Sequence, residues 1–155
     1  MNKDCQLIFE AYKKGFTGVK TNAYGSKEWY VNGKLHREDG PAVEYANGTK
    51  YWYVNDKLHR IDGPAIEYTN GTKAWHVNGK RHREDGPAVE YADGSKAWWV
   101  NDERHREDGP AVEYADGSKE WWINGKRLSK NEFRVVTNKK IKPEDKQTAL
   151  DALDL

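Results

Sequence analysis

Apolar and aromatic positions along this chain come in short bursts separated by polar turns, and the bursts recur. Trp29, Trp52, Trp75, Trp98 and Trp121 fall every 23 residues, and Gly25, Gly48, Gly71, Gly94 and Gly117 keep the same period. Around each Trp runs a β-rich segment such as KYWYV, and each unit carries a second one such as PAVEYA. This pattern predicts short strands, with no helical period inside the array. Asn32-Gly33, Asn78-Gly79 and Asn124-Gly125 are favoured two-residue hairpin turns, because both residues tolerate positive φ. Asn55-Asp56 and Asn101-Asp102 are weaker versions. Asn47-Gly48, Asn70-Gly71, Asp93-Gly94 and Asp116-Gly117 form a second turn set.

The predicted fold is an all-β repeat: an elongated antiparallel β-hairpin ribbon of about five 23-residue units, with short helical caps at both ends. Two main strands per unit at about 4.8 Å spacing give roughly 10 Å per unit, or about 45–50 Å in all. Each unit contacts mainly its neighbours, and the ends need covering. Residues 1–24 are expected to hold a helical cap and a degenerate half-repeat, 25–128 the array, and 129–155 a C-terminal helical cap or tail. In the first, Asp4 would cap a helix carrying Leu7, Ile8 and Tyr12, and Gly15 would stop it. In the last, Ser129 and Glu132 have capping-box spacing before Phe133. Pro143 would open a second helix with Ala149, Leu150 and Leu153 on its apolar edge. These tails are expected to pack on their own sheet rather than on a partner.

Composition changes the picture of the core. Hydrophobic residues make up 36% and charged ones 33%, but there are seven Trp and nine Tyr, so the chain should fold around flat rings. Lys plus Arg number 26 and Asp plus Glu 25, a balance that argues against a nucleic-acid partner. Cys5 is the single cysteine, and no apolar run reaches membrane-spanning length. The start is too interrupted for a signal peptide. A soluble protein of the cytoplasm, with no membrane partner, is expected.

The densest chemistry is HR-x-DGPA, in four copies beginning at His36, His59, His82 and His105. His beside Asp suggests a general base with its orienting partner, or metal ligands. Repetition argues against both. Copies roughly 10 Å apart by strand spacing cannot share a zinc ion that needs ligands at about 2 Å. A tight turn at Asn32-Gly33 places Trp29 across from His36, and the same register gives Trp52–His59, Trp75–His82 and Trp98–His105. In the fifth unit the pair is Trp121–Leu128. Leu can replace His in packing but not as a base or ligand, so these Trp and His residues are expected to build the frame. Arg and Asp of each copy are expected to bridge adjacent units. No metal, cofactor or catalytic residue is assigned.

The unit W-x-x-N-G-K-x-H…G…Y-A-D-G-S resembles the MORN repeat, a 23-residue hairpin unit with aromatic, Gly-Lys and Asp-Gly marks at similar places. The resemblance covers about two thirds of the chain, residues 25–128. Here Gly-(Ser/Thr)-Lys-x-Trp replaces the usual Tyr-x-Gly, and Arg-x-Asp-Gly-Pro follows the His. Both are closer to divergent variants in bacterial antitoxin-like proteins and in proteins of large phages and giant viruses. The resemblance implies a scaffold or binder.

Positions that vary within the frame are free to specialise. The residue after the invariant Trp reads Tyr30, Tyr53, His76, Trp99, Trp122, and its facing partner Leu35, Leu58, Arg81, Arg104, Arg127. Alternation puts them on the face opposite Trp29 and Val31, together with Ala42 and Glu44; Val43 and Tyr45 would join the Trp face if Asn47-Gly48 is a two-residue turn. Trp99, Arg104, Trp122 and Arg127, extended by His76, Arg81, Tyr53 and Tyr30, form the candidate binding surface, since Trp, Tyr and Arg are enriched in binding hot spots. The expected function is a non-enzymatic inhibitor or scaffold that occludes a partner protein. By the resemblance, that partner is a bacterial toxin, nuclease or defence protein. One alternative is a nucleotide or small-ligand sponge using the Trp/Arg strip within an oligomer. Another is a hydrolase built on His59-Arg60-Ile61-Asp62, the copy with an apolar residue in the Glu position.

Overall fold

The computed structural model describes residues 15–138, together with Thr148 and Asp151. The expected N-terminal helix and the helix after Pro143 lie outside the described residues, apart from Thr148 and Asp151, both in helical backbone. Among residues 15–138 the fold is an all-β repeat of short antiparallel strands with one short helix after it. The chain divides into two compact units, residues 1–79 and 80–155.

In the first unit, β1 (Gly18–Thr21), β2 (Lys27–Val31), β4 (Val43–Glu44), β5 (Lys50–Tyr51), β8 (Ile66–Glu67) and β9 (Lys73–Ala74) form the sheet in that order. The half-repeat thus supplies an edge strand, with Gly18 opposite Tyr30 and Thr21 opposite Lys27. β3 (Lys34–Leu35) folds back on β2, and β6 (Tyr53–Val54) and β7 (Lys57–Leu58) form a separate hairpin. In the second unit the order is β12 (Val89–Glu90), β13 (Lys96–Ala97), β16 (Val112–Glu113), β17 (Lys119–Ile123) and β18 (Lys126–Leu128), with β14 (Trp99–Val100) and β15 (Glu103–Arg104) as its separate hairpin. Each middle repeat therefore splits at its Trp. Trp52 sends its N–H to Ala65 O at 2.8 Å on the sheet side, and its carbonyl accepts the His59 N–H at 3.0 Å on the hairpin side.

The hairpin tips behave as the residue types demand: Asn32 has φ 51° and Gly33 77°, and Asn55-Asp56 adopts 51° and 64°. Each tip is tied to the repeat before it. Asp56 and Gly79 donate their N–H to Leu35 O and Leu58 O, and Asp102 and Gly125 to Arg81 O and Arg104 O, all at 2.8–3.0 Å.

The second turn set departs from expectation. Tyr45 N–H bonds Thr49 O, and the register runs Val43 to Tyr51 and Glu44 to Lys50. The loop therefore has three residues, Ala46-Asn47-Gly48, with Gly48 at φ 91°. One extra residue flips the strand's faces. Glu28 lies opposite Val43, so the ladder puts Trp29 opposite Ala42, whose carbonyl accepts the Trp29 N–H at 2.8 Å. Ala42 and Glu44 thus belong with the invariant Trp, and Val43 and Tyr45 with the varying aromatics, the reverse of the expected assignment.

The core is thin. Ala42, Ala65, Ala88 and Ala111 are 0% exposed, and Val43, Ile66, Val89 and Val112 are buried behind them. The array closes on α1 (Lys130–Val136), where Ser129 and Glu132 form the expected reciprocal capping box. Phe133 and Val136 of α1 pack with Ile123 and Leu128 against Trp121.

Candidate functional site

In HR-x-DGPA, each guanidinium is enclosed by its own repeat. Arg37, Arg60 and Arg106 lie over Trp29, Trp52 and Trp98 with Cζ at 4.3, 4.2 and 4.0 Å from the ring centres. Nε of Arg37, Arg60, Arg83 and Arg106 donates to Asp39, Asp62, Asp85 and Asp108 at 2.7–2.9 Å. Nη1 reaches the following Pro carbonyl at 3.2–3.3 Å. It also faces Glu44, Glu67, Glu90 or Glu113 at 3.6, 3.2, 3.1 and 3.1 Å. Hydrogen bonding to the guanidinium holds all four Asp carboxyls below the usual range. A Cβ on Gly40, Gly63, Gly86 or Gly109 would come within 2.9–3.0 Å of that guanidinium, which is why the motif carries Gly there. The expected Arg–Asp bridges between repeats are not formed, because a partner two residues away is nearer.

The His makes the joint instead. Nδ1 of His36, His59, His82 and His105 accepts the backbone N–H of Asn55, Asn78, Asn101 and Asn124 at 3.1–3.3 Å, each in the next hairpin tip. Acceptance at Nδ1 puts the ring proton on Nε2. That nitrogen is 3.5–3.8 Å from Glu38, Glu84 and Glu107 in three copies. In the fourth, Ile61 replaces the Glu and is 85% exposed. His59 and Ile61 line a groove of about 710 Å³ with Asp39 and Trp52. A second joint escaped the sequence reading: the hydroxyls of Ser26 and Ser95 accept the Ala46 and Ala115 N–H at 3.1 and 3.0 Å. Its signal was a Ser or Thr after every Gly of the 23-residue series.

The second unit brings Arg81, Trp99, Arg104, Trp122 and Arg127 together. Trp99 faces Arg104 across one hairpin and Trp122 faces Arg127 across the next. Arg81 Cζ stands 3.6 Å from the Trp99 ring centre. Arg104 Cζ is 5.2 Å from Trp99 and 4.9 Å from Trp122. Two acids position the cations. Asp102 accepts the Arg81 N–H and Nε at 3.0 and 2.9 Å. Glu120 accepts Trp122 Nε1–H at 2.9 Å and pairs with Arg104 at 3.6 Å and Arg127 at 3.2 Å. Glu120 was missed because its column, the residue before the invariant Trp, reads Glu28, Tyr51, Ala74, Ala97, Glu120 and shows no trend. Ala97 leaves a mark: Trp99 Nε1 and Arg104 Nε are buried with no hydrogen-bond partner among the described residues.

In the first unit the varying positions are rings without guanidinium. Tyr51 meets Tyr45 and Tyr68 edge-on at 5.5 and 6.0 Å and stacks on Tyr53 at 6.3 Å. Tyr30 bonds Glu28 at 2.6 Å and lies 4.7 Å from Lys20 Nζ. Burial, then the bond to Glu28, pushes the Tyr30 hydroxyl up to about 12. Burial, then a bond with Tyr68, does the same for Tyr51. His76 is 9% exposed, inside β10 (His76–Val77). Among the described residues, no three His, Cys, Asp or Glu side chains are grouped to hold a metal ion. No described helix is long and apolar enough to cross a membrane.

No protein-family model matches the chain, and no curated protein matches it.

Proposed function

We propose that this chain is a non-enzymatic protein-binding module that docks one partner on the Arg81–Trp99–Arg104–Trp122–Arg127 surface and occludes it. The observation that carries this reading is the alternation of ring and guanidinium: Arg81 and Arg104 hold Trp99, and Arg104 and Glu120 hold Trp122, before any partner arrives. Side chains already fixed lose less entropy on docking. Trp and Arg are also the residues that dominate binding hot spots. Arg127, 64% exposed at the side chain, offers a cation at one end of the strip. The non-enzymatic half rests on the four His rings, whose Nδ1 atoms are spent on backbone N–H groups of the next hairpin. By resemblance to the divergent MORN arrays of antitoxin-like and phage proteins, the partner is a bacterial toxin, nuclease or defence protein.

The test is affinity capture from bacterial lysate, followed by measured binding of the recovered protein. Trp99→Ala/Trp122→Ala should weaken it about 100-fold or more, as expected for two hot-spot residues. Equal affinity for both versions sinks the surface as the interface.

A further inference from the structure

The fifth invariant Trp differs from its counterparts in what covers it. Trp29, Trp52 and Trp98 carry a guanidinium from HR-x-DGPA, whereas Ser129 takes that place beside Trp121. The described cation over Trp121 is Lys130, with Nζ 5.8 Å from the ring centre. Part of the ring packs against Ile123, Leu128, Phe133 and Val136. The half-buried ring also lines a pocket of about 410 Å³ with Lys119, Arg127 and Lys130. The anions that hold the guanidinium elsewhere are gone: Asn131 stands at the Asp position and Val136 at the Glu position. The one acid in the lining, Glu120, is taken by Trp122 and Arg127. A pocket with an aromatic wall and three cations, stripped of free acids, suits a flat ring bearing an anion.

We infer that this pocket binds a nucleoside monophosphate, its base against Trp121 and its phosphate between Lys119 and Lys130. Base stacking on an aromatic side chain tolerates any base. Lys binds phosphate as a point charge without demanding a fixed fork geometry. The pocket shares Arg127 with the docking strip, but Trp121, Lys119 and Lys130 carry it, so either can fail alone.

The probe is AMP, titrated calorimetrically into the full chain, with adenosine and inorganic phosphate as separate arms. AMP should bind saturably, and each half-ligand at least about tenfold more weakly, since each keeps one of the two contacts. Lys130→Glu should weaken AMP binding at least about tenfold; the helix should tolerate it, because an acid in the first turn favours α1. Lys119→Ala is the second variant should Lys130→Glu alter the circular dichroism spectrum. Trp99→Ala, a docking-strip residue outside the pocket lining, should leave AMP affinity within about twofold. No saturable AMP binding at millimolar concentration overturns the inference. So does an unchanged affinity in the folded Lys variant, phosphate binding as tight as AMP, or loss of binding in Trp99→Ala.

Discussion

Arg37, Arg60 and Arg106 of HR-x-DGPA are each held on four sides: by a ring, an Asp, a Pro carbonyl and, at 3.1–3.6 Å, a Glu. Gly63→Ala puts a methyl 2.9 Å from the Arg60 guanidinium. It should lower unfolding free energy by about 1–3 kcal/mol, the range for overpacking, as read by urea denaturation. The acid limb follows from the lowered Asp carboxyls. Their folded pKa lies below the unfolded value, so the stability they contribute is present above about pH 4 and lost as pH falls through the folded value. Asp62→Asn should flatten part of that limb in melts taken from pH 6 downward. Tyr30 and Tyr51 give the opposite sign. Raised to about 12 in the fold, their stabilisation is present below the ordinary Tyr value and lost as pH climbs from there toward 12.

At the scale of the hairpin, the Asn-Asp tips that read as weaker turns have a reason of their own. Asp56 and Asp102 accept the Leu35 and Arg81 N–H at 2.7 and 3.0 Å, a bond that Gly cannot make. Asp56→Gly relieves backbone strain but removes a charge-assisted bond, and should cost a net of about 1 kcal/mol by thermal melting. A more stable variant would show that the carboxylate contributes nothing. The turns themselves were legible, because Asn-Gly advertises positive φ. The length of the Asn47-Gly48 loop was not: Gly at the second or third loop position leaves the same dipeptide in the sequence. That single residue decided which face Val43 shares. The Trp29–His36, Trp52–His59, Trp98–His105 and Trp121–Leu128 pairings, with Trp99–Arg104 and Trp122–Arg127, depend only on the two-residue tips and came out as the spacing implied. Glu120 stayed hidden because a carboxylate's value there depends on three partners from two hairpins.

At the scale of the molecule, the repeat frame matters more than any one residue. Excising residues 84–106 joins Arg83 to Glu107 and keeps every joint in phase. Such a chain should still melt in one transition, roughly 5–10 °C lower. Excising 84–105 instead leaves one residue too many, puts buried and exposed faces out of step, and should abolish the cooperative transition. Equal behaviour of the two deletions would mean that phase is not what holds the repeats together. The end also matters: Phe133→Ala removes the ring that packs with Ile123 and Leu128 and should cost about 3 kcal/mol. The tie between tip and preceding repeat has a direction. Every hairpin tip takes its acceptors from residues nearer the N-terminus: the Thr17 hydroxyl and Phe16 carbonyl at Asn32-Gly33, and a His Nδ1 and a backbone carbonyl at the four later tips. On the ribosome those acceptors are made first. Each tip can lock onto a finished neighbour as it emerges, so the chain is built to fold vectorially, in the order in which it is translated.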